Sequence, residues 1–300
     1  MGDIQLALDA GYITERDGIY SIVPGRKYTG TMMRPLFSLL NSRELVRVPG
    51  DDNSPVFYWA LPPSLFTSFK DVIIMTYMFS GQSLHHFLKI YDLPYTYIGI
   101  QKDDGGYRFC DYPGYTPSYV KDIGNLIDIL DNERMNEIGQ DYHSLSMSWY
   151  QKNEDKDSLG SLKNDVSNYY NNVHRKSPSN ERLTGTYKSG GKLIRGKGYS
   201  NSIIPFNVKA TNEYRDRDIL VYSVNVFMNV NEKRFYKSHG IDVDEDAYAT
   251  SVMVQWIWRS AIRDGKKIHI YIPSRRMREL LINWIDKVSK EGNGIEDGTT

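Results

Sequence analysis

Cysteine is nearly missing from this 300-residue chain: Cys110 stands alone, which excludes an intramolecular disulfide and a multi-cysteine zinc site. Net charge is missing as well. Lys+Arg and Asp+Glu are each 37, so no global field announces a polyanionic partner, and any basic surface must be local. No apolar run is long enough to span a bilayer, and Met1-Gly2-Asp3-Ile4 lacks the basic-then-apolar pattern of a secretory signal. The expectation is therefore a cytoplasmic protein with no membrane partner. Metal-ligand spacing is absent too. His85 and His86 are adjacent and point to different helix faces, and the other four histidines are scattered without carboxylates at ligand spacing. Asp242, Asp244 and Asp246 alternate but lack the Gly and Glu of a calcium loop, so they read as helix caps. Finally, no Gly-x-x-x-x-Gly-Lys-Ser/Thr occurs anywhere, so the loop that cradles nucleotide phosphates is not encoded here.

What is present is enough to build cores: 40% hydrophobic and 25% charged residues, in a length that suits one large domain or two smaller ones. A helix ends at Gly11, and Asp17-Gly18 between Tyr12-Ile13 and Ile19–Ile22 reads as a hairpin turn. A helical patch covers 34–45. Val72-Ile73-Ile74-Met75 is a short continuous apolar run, the pattern of a strand buried on both faces. A helix over 82–91 and a strand over 94–100 would make it a βαβ unit of a parallel sheet. Helical spacing recurs over 122–137, and a thin apolar stripe (Leu159, Leu162, Val166, Tyr169) predicts a helix over 158–174. A second α/β block follows. It has a strand at 202–206, a helix built on Leu220, Val221, Val224 and Phe227, a strand at 268–272, and a helix from Pro273 to about Lys287.

The stretch Gln255-Trp256-Ile257-Trp258-Arg259-Ser260-Ala261-Ile262-Arg263 organises that block. Read as one helix, it places Gln255, Arg259 and Arg263 four apart on one face, capped by Asp244 or Asp246 and stopped by Gly265. From this segment alone, an amphipathic helix with a solvated basic edge is the simpler account. Three stretches together resemble one family. Gln255…Arg259…Arg263 is similar to motif VI of superfamily 2 helicases and related translocases. Ala210-Thr211-Asn212 with Arg215-Asp216-Arg217 resembles motif V, and Met75-Thr76-Tyr77 sits where motif III is expected. The likeness extends to helicase-like proteins of phages and mobile elements, which would put the protein in host cytoplasm. Two positions depart from the family: Trp258 stands where it has Gly, and the two arginines are four apart where it spaces them by three.

The resemblance implies an α/β fold: the end of a first RecA-like motor domain (1–100), a connecting helical or linker region (101–182), and a complete second RecA-like domain with a parallel sheet (183–300). It implies Gln255, Arg259 and Arg263 as catalytic groups, acting with Asp216 on ATP and Mg2+ in a site completed by a separate phosphate-loop-bearing chain or segment. It also implies that Thr76, Thr211 and Asn212 contact single- or double-stranded nucleic acid, DNA in the first place. The basic Gly-rich stretch from Lys188 to Lys197 is read as a flexible loop adding to that contact. The alternative is a non-catalytic nucleic-acid-binding or assembly module that retains the motor fold, which the missing phosphate loop favours.

Overall fold

The structure is a computed structural model that describes residues 2–16, 18–49, 55–112, 122–154, 156–208 and 211–293. The chain forms two compact units. The first takes Met1–Thr76, Ser83–Pro94 and Asn229–Val243, and the second takes Tyr77–Gln82, Tyr95–Met228 and Asp244–Thr300.

The first unit is built on an antiparallel meander, β1 (Ile13–Arg16), β2 (Ile19–Ile22), β3 (Glu44–Pro49) and β4 (Pro55–Ala60), in that spatial order. The expected hairpin forms between β1 and β2, though Asp17 lies outside the described residues. Helices Gly2–Asp9 and Arg34–Leu40 supply the core with Ala7, Phe37 and Leu40, which join Ile13, Tyr20 and Leu45 from the sheet. Tyr28 stacks on Phe37 with ring centroids 4.6 Å apart. Helix Ser83–Ile90 forms as expected, and Tyr236 donates to the Ser83 carbonyl at 3.1 Å.

The run 71–76 is not a buried strand. It belongs to no helix or strand, and Val72 to Met75 are all exposed. Without a neighbouring strand an apolar run has no ladder to join, so the βαβ unit expected over 71–100 is absent. Its third piece also pairs otherwise: β5 (Ile98–Asp103) forms an antiparallel ribbon with β6 (Gly106–Asp111).

The second unit carries a five-stranded parallel sheet: β7 (Ile127–Ile129), β8 (Arg182–Thr186), β9 (Ile203–Pro205), β10 (Ile219–Tyr222) and β11 (Ile268–Tyr271), in the spatial order β7-β11-β10-β8-β9. Every residue of β8 and β10 is buried, as parallel strands covered on both faces should be. Two expected helices give way to strands. Ile219–Tyr222 is an uninterrupted apolar run of four, too short for a helix and able to hydrogen-bond to neighbours on both sides. Residues 122–137 break into helix Ile123–Leu126, strand β7 and helix Glu133–Asn136.

Residues 101–182 are therefore no mere connector. They supply an edge strand and much of the core, including Leu145, Tyr150, Leu162, Val166 and Tyr170. The expected helix over 158–174 is found as Asp157–Asn168 continued by a π turn at Tyr169–Val173. Many of the chain's tyrosines end here, their hydroxyls donating to carbonyls. Tyr170 bonds Leu183 at 2.9 Å, Tyr187 bonds Asn225 at 2.7 Å, and Tyr199 bonds Ile194 at 2.9 Å. Each therefore fills core volume without stranding its hydroxyl.

Candidate functional site

In an open parallel sheet a ligand usually lies beyond the carboxyl ends of the strands, where the strand order reverses. In the second unit that point falls between β8 and β10, and the chain fills it itself. Tyr150, from helix Met147–Lys152, donates to the Ser223 carbonyl at 2.7 Å, and burial pushes its phenol up to about 12. Ser223 Oγ donates to Gly185 at 3.2 Å. Asn225 donates to the carbonyls of Tyr142 and Ser144, and Arg276 reaches Asn225, the Val226 carbonyl and Asp246. Gly190 and Gly191 belong to this packing and not to a flexible basic loop: both are buried, and a Cβ on Gly190 would lie 3.0 Å from Tyr150 and Thr186.

The opposite, amino edge of the sheet gathers some of the residues singled out by sequence, Arg263 and Asn212 among them. Helix Glu245–Ile257 begins at Asp244, whose carboxylate accepts from the amides of Asp246 and Ala247, as its capping pattern predicts. It does not reach Arg263. Ser260 adopts extended backbone, its hydroxyl donates back to Ile257, and the Ala261 amide bonds the Arg217 carbonyl at 2.8 Å. A 3-10 turn, Ala261–Asp264, follows and stops at Gly265 with φ +70°. Gln255, Arg259 and Arg263 are therefore not on one helical face, as expected from spacing. They are presented by a helix, the turn after it and a second turn.

That break delivers Arg263 to Asn212, to whose side-chain oxygen its guanidinium donates. The next residue, Asp264, pairs with Arg215, with the Arg215 Nε at 3.2 Å. This hydrogen bond holds the exposed Asp264 carboxyl below its ordinary range and raises Arg215. The 211–217 loop and the 259–264 turns, widely separated in sequence, are thus tied by two side-chain pairs. Thr211, Asn212 and Asp216 lie on that loop, with Asn212 and Asp216 exposed. Arg259 is half-buried, and its Nε is shielded from solvent with no hydrogen-bond partner among the described residues. Gln255 donates to Ser251 at 3.1 Å and to the Tyr77 carbonyl at 3.4 Å. The bulk of Trp258 is taken up edge-on by Trp284 with ring centroids 5.6 Å apart, and Trp284 in turn donates to the Tyr77 hydroxyl.

Lys188 and Lys197, at the two ends of the basic stretch, are not brought together. Lys197 adjoins the amino end of β8, where Asn171 donates to its carbonyl, whereas Lys188 follows the carboxyl end. Thr76 is an exposed residue of the first unit. Sequence reading also missed a pair across β7 and β11: His269 contacts Asp128 at 2.7 Å, with the His174 ring 5.0 Å away. Burial, then the neighbouring His269, pulls His174 below its ordinary value. In sequence His269 and Asp128 looked unrelated because strand register, not spacing, pairs them. Among the described residues no three His, Cys, Asp or Glu side chains converge as a metal site, and no helix is long and apolar enough to cross a membrane.

Residues 121–285 match the family described as YonV C-terminal Rossmann-like domain, in accord with the parallel sheet. The chain is 37% identical over 262 residues to the SPbeta prophage-derived uncharacterized protein YonV of Bacillus subtilis (strain 168). The match covers 87% of this chain and 62% of that protein, so the chain spans under two thirds of its relative's length. No solved structure matches the chain.

Proposed function

This chain belongs to the family of the YonV C-terminal Rossmann-like domain, and from that premise we propose that it is the downstream half of an ATP-dependent superfamily 2 type DNA helicase or translocase. In this reading the parallel sheet of the second unit is a RecA-like domain. The observation that carries it is the tie between two separated stretches at the amino edge, Arg263 to Asn212 and Asp264 to Arg215, together with an Arg259 Nε that has no partner among the described residues. A guanidinium held half-buried and unpaired is costly unless an anion completes it, and its planar fork suits a phosphoryl group. Asn212 and Arg215, on a loop coupled to that arginine, would let nucleotide state alter contacts with a nucleic-acid backbone. Arg259 and Arg263 stabilise charge on the transferring phosphoryl group, and Gln255 positions them or the nucleotide. ATP and Mg2+ are held mainly by the partner's phosphate loop and acidic pair.

Purified alone, the chain should show no nucleic-acid-stimulated ATP hydrolysis, since arginines without a phosphate cradle make part of a site. Turnover should appear when the remainder of the Bacillus subtilis relative is added as a separate polypeptide. Stimulated turnover by the chain alone would overturn this division of labour. The missing phosphate loop also favours a second reading, a non-catalytic nucleic-acid-binding or assembly module retaining the motor fold. Tight oligonucleotide binding with no turnover under either condition would select it.

A further inference from the structure

Three segments that lead into neighbouring strands meet at the amino edge of the second unit's sheet: residues 179–180 before β8, 198–202 before β9, and Arg217 shortly before β10. They border a cavity of about 290 Å3 whose lining includes Ser179, Asn180, Ser200, Asn201 and Arg217 and contains no Asp or Glu. That volume is at the lower end for small-molecule sites. Arg217 is half-buried and forms no ion pair among the described residues. Its Nη1 donates to the carbonyls of Ser179 at 3.0 Å and Arg182 at 3.3 Å, and its own carbonyl accepts from the Ala261 amide, so the group is fixed in place. Its Nε and Nη2 make no hydrogen bond among the described residues, and neither do the side chains of Ser179, Asn180 and Asn201. A fixed guanidinium with unused donors, bordered by further hydroxyl and amide donors, is matched by an anion with several acceptor oxygens.

We propose that this cavity binds a sugar phosphate, either free or at the phosphorylated end of a nucleic-acid strand. Arg217 takes the phosphate oxygens, and the side chains of Ser179, Asn180 and Asn201 hydrogen-bond the phosphate and the hydroxyls of its sugar. A terminal phosphate carries more charge at neutral pH than the single negative charge of a diester, so an arginine with no carboxylate partner favours the terminal group. The site is separate from Arg259 and Arg263. It does not depend on the motor reading, because holding a phosphate with a guanidinium and amides requires no phosphate loop.

The test titrates the full chain calorimetrically with ribose 5-phosphate, ribose and inorganic phosphate, and then with oligonucleotides bearing a 5′ phosphate, a 3′ phosphate or neither. Ribose 5-phosphate should bind saturably and more tightly than inorganic phosphate, and ribose should not bind. Asn201 is exposed, so Asn201→Asp adds a negative charge beside the cavity without removing a contact. It should weaken ribose 5-phosphate binding by about tenfold or more and leave the melting temperature unchanged. Arg217→Gln should weaken binding at least as much. If a phosphorylated strand binds more tightly than the unphosphorylated one and Asn201→Asp removes the difference, the ligand is a strand end. If ribose 5-phosphate binds and the strands do not differ, it is a free sugar phosphate. No saturable binding of ribose 5-phosphate, or binding that survives both substitutions, overturns the proposal, and so does inorganic phosphate binding equally well.

Discussion

Arg182 and Arg259 make opposite use of the same side chain. Arg182 is buried at the start of β8, and all five of its N–H donors are engaged: by Ser177 Oγ and carbonyl, Asn171 Oδ1, and the carbonyls of Gly198 and Tyr170, at 2.9 to 3.3 Å. It ties helix end, loop and strand together. Arg182→Met should therefore lower unfolding free energy by about 2–4 kcal/mol in urea titration, because several buried acceptors lose their donor. Arg259→Lys should stay within about 0.5 kcal/mol of the parent, since no partner is lost. His174 makes a third prediction. Its pKa is lowered in the folded state, so the unfolded chain binds the proton more readily between the depressed value and the ordinary 6.5. Its contribution is complete above pH 6.5 and is lost as pH falls through that window. His174→Gln should flatten part of the acid-side fall in melting temperature, and an unchanged pH profile would contradict it.

At the scale of elements, the helix Glu245–Ile257 is held against the turn at Phe79–Gly81 by close backbone approach. A Cβ on Gly81 would lie 2.8 Å from the backbone of Ala247, with no flexible side chain able to give way. Gly81→Ala should cost about 1–3 kcal/mol, read as a lowered melting temperature, and should disturb Tyr77, whose carbonyl receives Gln255. This contact was invisible in sequence, as are most packings between segments far apart in the chain. Caps and turns were legible because their chemistry is local: Asp244 opens its helix and Gly265 ends the following turn. Helix–strand identity was not legible for short apolar runs. Ile219–Tyr222 and Val72–Met75 look alike in sequence, yet the first sits between β8 and β11 and the second pairs with no strand among the described residues. The candidate site was half legible. Its residue types and loops could be found, but the break at Ser260 that brings Arg263 to Asn212 could not.

For the whole molecule, the fold places its candidate chemistry at the amino edge of the sheet and fills the carboxyl crevice with its own tyrosines and Arg276. A nucleic-acid backbone following the amino edge would meet Lys197 but not Lys188. Binding to a single-stranded oligonucleotide should then be sequence-tolerant and fall steeply with salt. Lys197→Ala should reduce the salt slope by about one unit or less, while Lys188→Ala leaves it unchanged. Salt-independent affinity would contradict backbone recognition.

The most direct measurement of the proposed function is ATP turnover in the mixture of this chain with the remainder of its Bacillus subtilis relative, compared across Arg259→Lys and Arg263→Lys. Lysine keeps the charge but loses the fork, and an arginine completing a phosphoryl-transfer site can be worth roughly a thousandfold in rate. The account predicts a loss approaching that size in turnover for at least one of the two variants, with melting temperature and oligonucleotide affinity little changed. Turnover unaffected by both substitutions would contradict it and leave the arginines of the amino edge as structure alone.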